Sequence, residues 1–199
     1  MRGLFVTFEG IDRSGKTTQA GMLCEALGHE ALGVREPGGT PAGEKVRELL
    51  KDPSVSLSPE AEALLFAVAR SELVAEVILP ALSEGKVVVS DRFLDSSLAY
   101  QGGARGLGIE DVERVNHFAT RGLRPDLTFL LDLPPEDAAA RAGESDRFEK
   151  EGAGLQEAVG AAYERLMRAD PDRWRRIDAR HSPEDVHKQV LASVKAARE

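Results

Sequence analysis

Residues 10–17 read Gly10-Ile11-Asp12-Arg13-Ser14-Gly15-Lys16-Thr17 and fit the phosphate-binding pattern G-x-x-x-x-G-K-[ST] at every fixed position. The two glycines let the backbone turn tightly and aim its N–H groups at phosphate oxygens. Lys16 adds a mobile positive charge for β- and γ-phosphates, and the Thr17 hydroxyl is a ligand for Mg²⁺. Working outward, an apolar run at 4–8 precedes the loop and a helical pattern at 16–27 follows it. Strand, loop and helix N-terminus together set an anion at the positive end of a helix dipole. Gly10 through Thr18, with Ile11, Asp12, Arg13 and Ser14 between, therefore form an expected nucleoside-triphosphate site.

The chain around this loop has 199 residues, enough for one well-cored domain, and a single domain over 1–199 is expected. Its 10 prolines and 19 glycines are scattered, with no linker, repeat or low-complexity tract. A formal charge of −8 argues against a sequence-independent nucleic-acid surface, which needs a basic face. Cys24 is the single cysteine, so no intrachain disulfide or thiolate cluster can form; among apolar helix residues it reads as a core side chain. The few residues before the first strand are too short for a signal-peptide core, and no apolar run reaches membrane-spanning length. A cytoplasmic location is expected.

Short continuous apolar runs at 4–8, 31–35, 86–90, 127–133 and 174–178 read as buried parallel strands. Helical periodicity falls near 16–27, 42–51, 59–84, 95–101, 109–121, 135–142, 154–169 and 182–198. Ser58-Pro59 and Ser182-Pro183 each place a capping hydroxyl before a proline at the first helical position. Pro80 is expected to kink or end the 59–84 helix. Val186, Val190 and Val194 form one apolar stripe on a charged helix. The alternation predicts an α/β fold with a doubly wound, five-stranded parallel sheet flanked by helices. Ligands in such sheets sit beyond the carboxyl ends of the strands.

Several further residues should converge there. Asp91 directly follows the 86–90 strand, where such proteins place a second contact to Mg²⁺, often through water, and Arg92 beside it presents a planar fork of donors for a phosphate. Both also fit a structural ion pair at a strand end. Arg35-Glu36-Pro37-Gly38-Gly39-Thr40 makes a sharply restricted loop, open to a cis Glu36–Pro37 bond; it reads as a wall of an acceptor pocket or as a plain turn. Phe66 and Arg70 lie four apart on one helical face, a stacking surface beside a donor, suited to a nucleobase. The charged, glycine-containing segment at 141–153 reads either as a solvated loop or as a mobile lid that brings Arg141 and Arg147 onto a transferring phosphoryl group.

Taken in order, F-E-G-I-D-R-S-G-K-T-T-Q (8–19), R-E-P-G-G-T (35–40), L-L-F-A-V-A-R (64–70), D-R-F (91–93), A-Y-Q-G (99–102), P-D-L-T (125–128) and D-R-F-E (146–149) resemble the thymidylate kinase family. The resemblance covers most of the chain and implies a P-loop NTPase fold and phosphoryl transfer from MgATP to dTMP, giving ADP and dTDP. It implies that Lys16, Thr17 and the loop amides hold ATP. Asp12 and Arg92 would lie at the dTMP phosphate and Phe66 on the thymine face, with Arg70 on a thymine carbonyl. Glu36 and Pro37 would belong to the dTMP pocket, and Ser96, Ser97, Tyr100 and Gln101 would line base and sugar. Thr17 and Asp91 would serve the metal. A homodimer is implied as well, for which apolar residues of the 59–84 helix are available. The family tends to keep its catalytic arginine in either the loop or the lid. This chain carries Arg13 in the loop and Arg141 and Arg147 in the lid, so the catalytic guanidinium is shared among three candidates.

Two other readings stay open at the level of sequence. One is an ATP-dependent regulator, which leaves the Phe66/Arg70 and Asp91/Arg92 pairs unexplained; a guanine-nucleotide switch would need N-K-x-D, but the sole asparagine, Asn116, is followed by His117. Another nucleoside monophosphate kinase with a similar sheet is the alternative within enzymes.

Overall fold

A computed structural model describes residues 2–141 and 153–198. The strands are β1 (Phe5–Glu9), β2 (Ala31–Arg35), β3 (Val87–Asp91), β4 (Leu127–Asp132) and β5 (Trp174–Asp178). They form one parallel sheet in the order β2-β3-β1-β4-β5. β1 is therefore central, and the chain leaves its carboxyl end to reach the far edge before returning to β3 beside it. That reversal opens the crevice in which doubly wound sheets bind ligands.

Helix α1 (Lys16–Leu27) follows β1, and α2 (Pro41–Lys51) follows β2. The expected 59–84 helix is α3 (Pro59–Leu73), a π-helical turn at Val74–Ile78, and α4 (Leu79–Ser83). Pro80 is the second residue after the π turn, and widening the coil there accommodates a residue that has no N–H to donate. After β3, α5 (Leu94–Ser97) runs into a second π-helical segment, Leu98–Ala104. The remaining helices are α6 (Ile109–Ala119), α7 (Pro135–Ala140), α8 (Ala153–Ala169) and α9 (Pro183–Ala197). Ser58 and Ser182 cap α3 and α9, accepting from the amides of Ala61 and Asp185 at 3.2 Å each. The strands at 4–8 and 86–90 are each displaced by one residue, so that Glu9 and Asp91 belong to the sheet.

Alternation along the strands divides the core. Val87 and Val89 join Val6, Phe8 and the α9 stripe of Val186, Val190 and Val194, whereas Val88 joins Phe5, Leu73 and Phe93. Phe8 stacks on Phe129 with ring centroids 5.2 Å apart, and Phe5 meets Phe93 edge-on at 4.8 Å. Each such side chain contributes about 1.5–3 kcal/mol by leaving water. α8 lies so close to the second π segment that a Cβ at Gly103 would stand 2.6 Å from the Ala162 Cβ. Tyr100 and Gln101 are thereby fixed on a turn wider than an α-helix would supply.

Candidate active site

The loop after β1 folds under the end of the sheet. A Cβ at Gly10 (φ 140°) would stand 2.7 Å from the Leu131 carbonyl oxygen and 2.8 Å from Ser14 Oγ, so only glycine fits. α1 starts at Lys16 with no side-chain cap and no acidic residue in its first turn. Its leading amides and its dipole are thus presented to an anion. Buried Lys16 turns back on the loop, donating to the Ile11 carbonyl at 2.6 Å and to Ser14 Oγ at 3.3 Å. Burial, reinforced by the positive charge of Arg92, pushes its ammonium down to about 8 against the pull of Asp12 and Asp91. Thr17 Oγ1 donates to Asp91 Oδ2 at 2.5 Å, bringing together the two oxygen donors expected at the metal.

Arg13 and Arg141 are joined reciprocally: each guanidinium Nη1 donates to the other's carbonyl at 3.0 Å. Arg141 Nη2 also donates to the Ala179 carbonyl at 2.6 Å. Both arginines expected from loop and lid thus meet at the phosphate loop. Arg147, and the lid between 142 and 152, lie outside the described residues.

Arg92, in the left-handed region at φ 70°, is held on several sides. It pairs with Asp12 Oδ1, donates to Ser96 Oγ at 3.0 Å and to the Tyr100 hydroxyl at 3.3 Å, and lies 5.1 Å over the Tyr100 ring. Asp12 also accepts from the Tyr100 hydroxyl at 3.1 Å and from Gln156 Nε2 at 2.8 Å. Burial pushes the Asp12 carboxyl up, but Arg92 and Lys16 outweigh it and hold the group below its ordinary range. Behind them Glu9 accepts from the Phe93 amide at 2.9 Å, from Ser96 Oγ at 2.6 Å and from the Tyr163 hydroxyl at 2.8 Å. Burial, with the charge of Asp95, pushes Glu9 up to about 7. Arg173 clamps the buried Asp95 through both carboxylate oxygens, at 2.6 and 3.0 Å.

At the other end Arg70, 1% exposed, spends its donors on protein. Nε and Nη2 donate to Glu36 Oε2 at 2.8 and 2.5 Å, Nη2 to the Phe93 carbonyl at 3.2 Å, and Nη1 to Ser97 Oγ at 3.0 Å and to Asn116 Oδ1. All five N–H groups have acceptors, so a bond from Arg70 to a ligand requires exchange of one of these. Glu36 Oε1 has no partner among the described residues. Burial pushes the Glu36 carboxyl up despite Arg70. The Glu36–Pro37 bond is cis.

These groups line one cavity of about 380 Å³. Asp12, Arg13, Lys16, Thr17, Asp91 and Arg92 line it, and so do Glu36, Pro37, Phe66, Arg70, Ser96, Ser97, Tyr100 and Gln101. Arg47 and Lys51 of α2 also line it and were missed by sequence reasoning, as were Glu9, Gln156, Asn116 and Tyr163 behind the wall. A glutamate directly after the apolar run at 4–8 was the one available signal, since a buried carboxylate demands partners.

A phosphate loop at the end of the central strand of a parallel sheet, facing a cavity with a second cationic pocket, defines a P-loop nucleotide-binding protein. The thymidylate kinase family model matches residues 8–190. The thymidylate kinase of Thermoanaerobacter sp. (strain X514) is 48% identical over 98% of both chains. That of Caldanaerobacter subterraneus subsp. tengcongensis is 49% identical over 98% of this chain and 96% of the relative. The crystal structure of thymidylate kinase from Ehrlichia chaffeensis superposes with a TM-score of 0.83 at 30% identity, covering 98% of this chain and all of that one. The chain belongs to the thymidylate kinase family. Its fold is the expected one, a five-stranded parallel sheet flanked by helices.

Proposed function

We propose that this cavity transfers the γ-phosphoryl group of MgATP directly to dTMP, giving ADP and dTDP. The observation that carries the reading is the joining of two anion-directed groups in one cavity: the phosphate loop with Lys16, and Arg92 with Asp12. Membership of the thymidylate kinase family supports the same donor and acceptor. The amides of residues 10–18 and Lys16 hold the ATP phosphates; Lys16 exchanges its bonds to Ile11 and Ser14 for phosphate oxygens. Arg92, oriented by Asp12, Ser96 and Tyr100, receives the dTMP phosphate. Phe66 stacks on the base, with Glu36, Pro37, Arg70, Ser97 and Gln101 around it. Arg13, and Arg141 bound to it, supply positive charge to the equatorial oxygens. Arg147 is proposed for the same task from the lid.

Thr17 and Asp91 present only oxygen, which suits Mg²⁺, and two protein oxygens leave the remaining positions to water and phosphates. When bound, the ion neutralises charge on the β- and γ-phosphates. No general base is needed, because the attacking dTMP phosphate is already ionised, and catalysis rests on alignment and charge.

Leu64 and Val68 of α3 and Val115 and Phe118 of α6 are exposed apolar side chains on two helices that pack together, with Phe118 88% exposed. They support a homodimer through this face. Among the described residues no helix is long and apolar enough to cross a membrane, and a cytoplasmic location remains our reading. Incubation with γ-labelled ATP tests direct transfer: label should appear in dTDP with none on protein, and labelled protein that chases into dTDP would refute it.

A further inference from the structure

Gln101 is 1% exposed, sits on the second π segment, and lines the cavity beside Phe66, Arg70 and Ser97. Its amide nitrogen donates to Glu62 Oε1 at 3.0 Å. Glu62 is itself buried, on the first turn of α3. Arg105 grips it, donating from Nε to Oε1 and from Nη2 to Oε2, both at 3.2 Å. A carboxylate paired in this way is an acceptor only, so the Gln101 atom facing it must be the NH₂ group. That contact removes the twofold ambiguity of the amide and turns Gln101 Oε1 to the other side, toward the cavity. Neighbouring Arg70 has no unengaged donor to offer there, since each of its N–H groups already has a protein acceptor.

We infer that Glu62 is a positioning residue for base selection. By holding Gln101 with its carbonyl oxygen toward the cavity, it makes the pocket take a pyrimidine with an N–H at ring position 3, thymine or uracil. Cytosine, which carries a lone pair at that position, would set acceptor against acceptor and leave Gln101 Oε1 unpaired. Arg105 keeps the carboxylate in register from outside the cavity. This rests on the dTMP-kinase reading and adds to it a residue that touches no substrate.

Initial rates with MgATP give kcat/KM for dTMP, dUMP and dCMP in the wild type, E62Q and E62D. Where a monophosphate is not turned over, its Ki against dTMP replaces the rate constant. Glutamine at 62 can donate as well as accept, so Gln101 is free to turn over. In E62Q the preference for dTMP over dCMP should fall about tenfold or more. The dTMP:dUMP ratio and the KM for ATP should stay within about twofold. E62D, its carboxylate withdrawn by one methylene, should show a smaller fall of the same kind, and it carries the test if E62Q gives no cooperative melt. A folded variant that keeps the dTMP:dCMP ratio, or that loses all three monophosphates equally, would overturn the inference. A wild type that phosphorylates none of the three would overturn the dTMP-kinase reading and this inference with it, and that failure appears before any variant is made.

Discussion

At the phosphate end of the cavity the anion-directed groups come from one continuous run, 10–17, joined by Asp91 and Arg92 from the neighbouring strand. At the base end Glu36, the α3 pair Phe66 and Arg70, Ser97 and Gln101 come from several elements, and Glu36, Arg70, Ser97 and Gln101 are held by buried side-chain bonds. The first region works through backbone amides and one buried lysine. The second works through a guanidinium whose donors are all engaged by protein before any ligand arrives, Glu36 Oε2 among their acceptors. Damage to the phosphate end should therefore appear in turnover with the fold intact, and damage to the base end in both stability and substrate KM.

The largest expected effect follows from K16M. It removes the mobile charge while keeping much of the aliphatic stem, and kcat should fall about 10³-fold with little change in melting temperature. A melting temperature that dropped with kcat would blur the contrast between the two ends. R70M strips the buried Glu36 of its ion partner, which should cost about 3 kcal/mol in urea unfolding and raise the KM for dTMP. The double variant R70M/E36Q should recover much of the stability and none of the KM. Full recovery of KM would mean that Arg70 serves only the fold.

R13A should lower kcat about tenfold, since Arg141 and Arg147 remain to share the charge. Turnover unchanged within a factor of about two would assign the transition-state charge to the lid side alone. The smallest effect is a pH dependence of stability set by Glu9, which burial pushes from 4.5 to about 7. Below pH 4.5 both states hold the proton and its stabilisation is complete. As pH rises toward 7 the unfolded chain has released the proton while the folded one still binds it, so stability falls. Thermal melts of the wild type should lose several degrees between pH 5 and pH 7.5 relative to E9Q. Parallel curves would remove Glu9 from the account.

The same contrast explains how much could be read from sequence. The phosphate loop, its strand and its helix were legible because a local pattern dictates local geometry, and Thr17 and Asp91 meet as the strand order requires. Phe66 and Arg70 were legible as a helical pair facing a cavity. Their surroundings were not: the Glu36 and Asn116 partners of Arg70 lie 34 and 46 residues away in the chain. Gln156 reaches Asp12 across 144 residues. Periodicity fixes which face of an element is buried, but it carries no information on which carboxylate will meet which guanidinium across the fold. Pro80 marked a break in the 59–84 helix in advance, but the second π segment was hidden for a related reason, since close packing of α8 on Gly103 acts through tertiary geometry.

The most direct test of the central claim is ADP release from the purified protein with MgATP and, in turn, dTMP, dUMP, AMP, CMP, GMP and UMP. Release that appears chiefly with dTMP is the predicted result. Release at the same rate with no monophosphate present, or chiefly with a purine monophosphate, would contradict it.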